Sequence, residues 1–317
     1  MKTTQTNLDP QVLPSRGIIL SAMMAVASLG PMTLAFAVDA SPVPSPAASP
    51  ALDAHGAKAL YAKGLALLRG TGGTKDAAAA GKLFQEAAQA GSPEAQAALG
   101  YLYSVGQGMP KDEDLAIKYL RMASAQKLAS AQHNLAIMLL RKDAAANEAE
   151  AIVLLSDAAD RGFLPSQIEL GETYFDGKWT IKPDPDKAFH FMQLAAARGN
   201  ASAANYLGVM YNTGSGVTMD KAQAAQWFEK AARQGEAKAL VNLGRCYASG
   251  SGVEKNLVTA YALFKLGNEI RTGSIGIELT EMEHNLTPEQ RQEAVKVMGS
   301  YRESAGVTAP SVKEIAL

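Results

Sequence analysis

Residues 203–235 read AANYLGVMYNTGSGVTMDKAQAAQWFEKAARQG, and the spacing within them decides the fold. Leu207 and Tyr211 stand one helical turn apart and share a face. Ala203 and Gly208 are small enough to let a neighbouring helix come close. Gly214 and Gly216 end that helix, because glycine tolerates the positive φ of a C-cap. Asp220 then stands where a second helix needs an N-cap, its side chain accepting from free backbone amides. Trp227-Phe228 and Ala231-Ala232 supply the apolar face of that second helix, and Gly235 closes the unit. One helix pair, A then B, is the prediction.

The unit recurs along the chain. With Leu207-Gly208 as a mark, steps of 37, 35, 36 and 36 residues back reach Leu170-Gly171, Leu135-Ala136, Leu99-Gly100 and Lys63-Gly64. A step of 36 forward reaches Leu243-Gly244. Five residues before the mark stand Ala59, Ala95, Ala131, Ser166, Ala203 and Ala239; three after it stand Leu67, Tyr103, Leu139, Tyr174, Tyr211 and Tyr247. Glycine pairs follow at Gly70/Gly72, Gly106/Gly108, Gly214/Gly216 and Gly250/Gly252. Asp76, Asp112, Asp220 and Asn256 fill the capping column, with Asp184 one place late. Several columns repeating at one period are the mark of a repeat array.

These columns, A-x-x-x-L-G-x-x-Y-x-x-G-x-G, then D, then W-F-x-x-A-A-x-x-G, resemble the Sel-one-like repeat family, a relative of the tetratricopeptide repeat. The resemblance covers roughly residues 55–270. It implies an all-α, right-handed α/α solenoid of about six helix pairs, here assigned to residues 53–272. Capping helices are expected over 273–304: Thr287, Pro288 and Gln290 carry an N-cap, an N1 proline and a capping box. Residues 305–317 read as a flexible tail. Two adjacent units depart from the pattern. In the third, Arg141–Asn147 replaces the glycine pair, and a helical or tight polar turn is expected. In the fourth, the connection 177–185 runs one residue long and exposes Trp179. Irregular curvature near the middle of the array follows from these two.

Residues 1–37 read as an export signal: Lys2 and Arg16 precede an uncharged apolar stretch from Gly17 to Val38, and Ala35-Phe36-Ala37 offers a small-x-small cleavage site. That stretch is also long enough for an uncleaved membrane anchor, so membrane contact depends on whether it is removed. The expected location is therefore periplasmic or secreted, or anchored with the repeats outside the cytoplasm. Residues 38–52, with four prolines, read as an extended spacer.

Composition narrows the chemistry. Thirty Lys+Arg against 31 Asp+Glu leave no excess positive charge for displacing counterions from phosphates, so no nucleic-acid partner is expected. A single cysteine excludes an internal disulfide framework and a Cys-based zinc site. Cys246 falls in a mostly apolar column and reads as a buried, inert thiol. The four histidines lie in different units without metal spacing, so no metal and no cofactor is expected. The Gly-x-Gly pairs follow helices and lack a Gly-Lys-Ser/Thr ending, so they are periodic turns rather than phosphate loops. No catalytic residues are assigned.

In tetratricopeptide-like stacks the A helices line the concave face. By that resemblance, the columns three before and one, four and five after the mark point into the groove. They carry Tyr61, Tyr101, His133, Arg141, Glu172, Phe175, Asn205, Asn212 and Arg245, a set of aromatic and hydrogen-bonding groups suited to a peptide or protein ligand. His133 is expected to be partly exposed. Leu65, Ile137, Leu140 and Ile168 share the columns and serve packing or binding equally well. The expected function is an exported, non-catalytic scaffold that captures a partner in the groove. Alternatives are a periplasmic regulator restraining an envelope signalling or polysaccharide system, a β-lactam-binding or hydrolytic enzyme, and a plain spacer. The second of these lacks the paired cysteines that accompany β-lactam binding in the family.

Overall fold

The computed structural model describes residues 53–270 and 276–306, so the proposed export signal, the proline spacer and most of the tail lie outside the described residues. The chain falls into two compact units, one ending at Ser92 and one beginning at Pro93. The first holds α1 (Ala54–Arg69) and α2 (Ala77–Gln89), packed as a pair with Phe84 fully buried.

The second unit is built from further pairs: α3 (Pro93–Val105) with α4 (Glu113–Ala125), α5 (Ala129–Lys142) with α6 (Ala144–Asp160), α7 (Leu164–Asp176) with α8 (Pro185–Ala197), α9 (Ala201–Thr213) with α10 (Lys221–Ala232), and α11 (Ala237–Ser249) with α12 (Leu257–Ile270). Each B helix also packs on the A helix that follows it, α4 on α5 through α10 on α11. The fold is thus the α/α solenoid type, with helix pairs as its repeating element and no strand among the described residues. Short α13 (Gly276–Asn285) and α14 (Pro288–Ser304) follow, and α14 lies on α12.

Local chemistry sets the boundaries. Asp112 Oδ1 accepts from Leu115 N at 2.9 Å, Asp220 Oδ1 from Gln223 N at 3.0 Å and Asn256 Oδ1 from Thr259 N at 3.0 Å. Asp184, one place late in the sequence, caps α8 in the same way, accepting from Lys187 N at 3.1 Å. Gly214 ends α9 in the left-handed region at φ +75°. Gly216 answers a different need: a Cβ there would fall on the Pro185 carbonyl at the start of the preceding B helix. Within a pair, the A helix meets its B helix over the glycine of the mark. A Cβ on Gly208 would stand 2.5 Å from the Phe228 ring.

The two irregular repeats fit each other. The expected turn at 141–147 is helix on both sides of one extended residue, Asp143, which ends α5 and caps α6 by accepting from Ala146 N at 3.1 Å. With no loop, α6 runs to 17 residues against 13 in α8. The longer connection of the fourth repeat reaches back onto that pair. Its Ile181 is buried in a cluster with Ala136, Leu140, Ala151 and Leu155, and Thr180 Oγ1 donates to Glu148 of α6. Trp179 takes the place of the second glycine and keeps its left-handed backbone, φ +63°.

At the C-terminal end, Thr287 Oγ1 accepts from Gln290 N and Gln290 Oε1 accepts from Thr287 N at 2.9 Å, forming the capping box. Ala294, Met298 and Tyr301 of α14 are buried against the last pairs, with Tyr301 Oη donating to Glu229 and Arg302 paired with Glu269. No described helix is long and apolar enough to cross a membrane.

Candidate protein-binding surface

Helices α3, α7, α9 and α11 bury their Leu-Gly side, which leaves other columns to face solvent or a neighbouring repeat. The structure sorts the nine proposed contact residues by which of these they do. Arg141 and Arg245 are exposed, and Tyr61, Tyr101, Glu172, Phe175 and Asn212 are half-buried. Tyr61, in the first unit, sets its ring 5.7 Å from that of Phe84. Glu172 accepts from Lys178. Phe175 meets Tyr206 edge-on at 5.2 Å. Asn212 accepts from Lys221 Nζ through both its main-chain oxygen and Oδ1, at 2.6 and 3.0 Å.

Two of the nine lie elsewhere. His133 is 5% exposed rather than partly open: its Nδ1 is 3.1 Å from Ser166 Oγ of α7 and its ring packs on Phe163. Burial pushes its pKa down to about 4, so the ring is neutral. Asn205, also 5% exposed, accepts from Asn242 Nδ2 of α11 at 2.9 Å. In these two repeats the column three before the mark therefore faces the following A helix and forms inter-repeat hydrogen bonds. Ile137 and Leu140 are buried as packing residues, while Ile168 is only half-buried. Cys246 is buried, and desolvation raises its thiol pKa, so little thiolate is available for reaction. Among the described residues no three His, Cys, Asp or Glu side chains converge as a metal site.

On this surface the sequence singled out Glu172 but not the group it belongs to. Glu169, Glu172, Thr173 and Asp176 of α7 stand at i, i+3, i+4 and i+7, one stripe of the helix. Glu169 and Thr173 are almost wholly buried, and Glu169 Oε1 and Thr173 Oγ1 have no hydrogen-bond partner. Burial raises the Glu169 carboxyl pKa and Glu172 adds to the rise, while Lys178 and the neighbouring Trp179 and Thr173 side chains oppose it. Asp176 is raised in the same way, with Lys178 and Lys238 opposing. Burial, with Glu172, Asp176 and Glu236 nearby, also holds Tyr206 protonated. In column terms Glu169 aligns with Ala62, Ala98, Asn134, Tyr206 and Asn242, a mixed column that gave no warning of a carboxylate.

The Sel1 repeat model matches six consecutive segments, residues 57–92, 93–128, 129–163, 164–200, 201–236 and 237–269. The chain belongs to the Sel1 repeat family. A solved Sel1 repeat protein from Oxalobacter formigenes is similar, with 29% identity and a TM-score of 0.59, over 67% of this chain and 87% of that one. Two curated relatives share the repeats. The "ERAD-associated E3 ubiquitin-protein ligase component HRD3A" of Arabidopsis thaliana is 29% identical over 45% of this chain and 23% of its own length. The "DAP3-binding cell death enhancer 1" of Mus musculus is 32% identical over 48% of this chain and 30% of its own. The chain thus spans less than a third of these curated relatives.

Proposed function

We propose that this Sel1 repeat protein is an exported, non-catalytic scaffold that captures a protein or peptide partner on the A-helix face of its repeats. The observation that carries this reading is the run of accessible aromatic, charged and amide side chains on successive A helices: Tyr101, Arg141, Glu172, Phe175, Asn212 and Arg245. Tyrosine, phenylalanine and arginine bring large contact area with few rotors, as binding hot spots do. Two relatives support a protein partner by their names, one as a ligase component and one as a DAP3 binder. The neutral charge balance favours a protein over a nucleic acid. The buried, raised thiol and the neutral, buried His133 leave no activated nucleophile–base pair in this face.

A crosslinking pull-down from native envelopes, run with wild type and with Tyr101→Ala/Arg141→Glu, tests the binding face. A partner enriched by wild type and lost by the variant, with helicity by circular dichroism unchanged, is the expected result. Equal enrichment by both would move the site off this face. Export is tested separately by N-terminal sequencing of the protein recovered from its host, with a mature start at Val38 expected. An intact Met1 in a soluble fraction would refute export by cleavage.

A further inference from the structure

The C-terminal end of the array holds a cavity of about 260 Å³, between the ends of α12 and α14 and the turn that follows α10. Ala232, Leu266, Ile270 and Tyr301 line it, and Glu269 and Arg302 form an ion pair in its wall. The repeat pattern does not call for this lining. Ile270 aligns with Ala90, Gln126, Arg161, Arg198 and Gln234, so the last repeat alone puts a large aliphatic side chain in that column. In four earlier B helices the column is the C-cap, whereas α12 stays helical to Ile270. Helix α14 packs on α12 yet leaves Ile270 46% exposed. The aromatic wall is held in place from two sides: Tyr301 Oη donates to Glu229, and the Arg233 guanidinium stands 5.1 Å from the Tyr301 ring.

We propose that this cavity receives one leucine side chain of an extended partner polypeptide, whose adjoining main-chain amides are held by Arg302 and Glu269. The inference rests on the partner being a protein and adds a contact away from the A-helix face. Volume selects the anchor. A cavity of roughly 150 Å³ admits benzene, and cofactor-sized sites start at roughly 300 Å³. The space between α12 and α14 falls between these and suits a single large side chain. Charge selects what stands beside it. Arg233 pairs with Glu229 and Arg302 with Glu269, so an ionic ligand would arrive without a counter-charge, while a neutral one leaves the balance intact. Arg302 donates to Glu269 through Nη2 alone, and a guanidinium has five donors; a carboxylate likewise accepts several hydrogen bonds. A peptide main chain matches both, its C=O accepting from Arg302 and its N–H donating to Glu269. A buried apolar anchor beside satisfied polar groups is the usual form of a binding hot spot.

The test is an NMR titration of the full protein with Nα-acetyl-leucine N-methylamide. The alanine analogue keeps the amides and loses the anchor, and isoamyl alcohol keeps the anchor and loses the amides. Saturable shifts of the Gly235, Ile270 and Tyr301 amides are expected with the leucine probe. Binding should be at least about tenfold weaker with the alanine analogue, the scale of the apolar area no longer buried. Isoamyl alcohol should also bind more weakly, and Arg302→Gln should remove most of that difference. Ile270→Glu, at an exposed position, puts a charge in the apolar wall and should abolish the shifts even if Arg302→Gln loosens α14. No saturable shift up to the solubility limit of the leucine probe, or equal binding by the alanine analogue or by isoamyl alcohol, would overturn the proposal. Binding that appears only once residues 307–317 are removed would overturn it as well, by giving the cavity to this chain's own tail. If the leucine probe fails while Tyr101→Ala/Arg141→Glu still loses its partner, the cavity falls and the A-helix face stands. If the probe binds while that variant keeps its partner, the cavity stands and the Tyr101–Arg141 part of the face falls.

Discussion

His133 is held neutral by burial. In the unfolded chain its imidazole takes up a proton near the ordinary value of 6.5; in the folded chain it does so only near 4. Between those values the unfolded state binds more protons, so folding stability falls as the pH drops from 6.5 to 4, by about 3 kcal/mol in all. Above pH 6.5 the group contributes no pH dependence. The raised carboxyls of Glu169 and Asp176 act in the opposite sense, because the folded state takes up their protons first. A comparison with His133→Gln separates the two effects. In urea unfolding, wild type should lose about 2–3 kcal/mol more than His133→Gln between pH 7 and pH 4.5. Parallel losses would show that the imidazole is charged or solvated in the native state. The burial of His133 was not legible in sequence. A helical wheel of one A helix places it beside solvent, but Phe163 and Ser166, which enclose it, come from the next repeat. Glu169 escaped notice for a different reason: Lys178, Thr173 and Trp179 around it belong to its own repeat, but its column has no fixed character. By contrast Arg141 and Arg245 could be placed from spacing alone, and both are exposed.

Elements were far more legible, because their determinants are local. The Asp/Asn column caps the B helices as its spacing requires, and even the late Asp184 does so, because the fourth connection is one residue longer. The contact between Gly208 and Phe228 fixes how closely α9 approaches α10. Gly208→Ala should overpack that contact and cost ~1–3 kcal/mol, read as a lowered Tm. Adding Phe228→Leu should recover part of the loss. An unchanged Tm for Gly208→Ala would mean that the two helices lie farther apart than described. What spacing could not show is that the third and fourth repeats complement each other. Ile181 sits in a surface connection and reads as a loop residue, yet it is buried on α5 and α6, where a regular repeat would have a loop of its own. Ile181→Ala should therefore cost ~2–5 kcal/mol, as a core truncation does. A change below half a kcal/mol would mean that the connection does not pack on α6.

For the whole molecule, the repeat architecture requires that its last apolar face be covered. Here α14 does this for α12, with Met298 and Tyr301 buried in the terminal cluster. Truncation after Asn285 should lower the Tm and expose dye-binding apolar surface without removing the far-ultraviolet helical signal of the earlier pairs. A truncated chain that melts like wild type and binds no dye would show that the end needs no cap. The central claim concerns the face on which partners are met. Its most direct test is photo-crosslinking from single benzoylphenylalanine residues, placed at Tyr101, Asn212 and Arg245 on the A helices and at Lys118, Gln193 and Gln226 on exposed positions of the B helices. One shared partner crosslinked from the three A-helix positions and absent from the B-helix set is the result this account predicts. The same adducts from the B-helix positions, with none from Tyr101, Asn212 or Arg245, would contradict it.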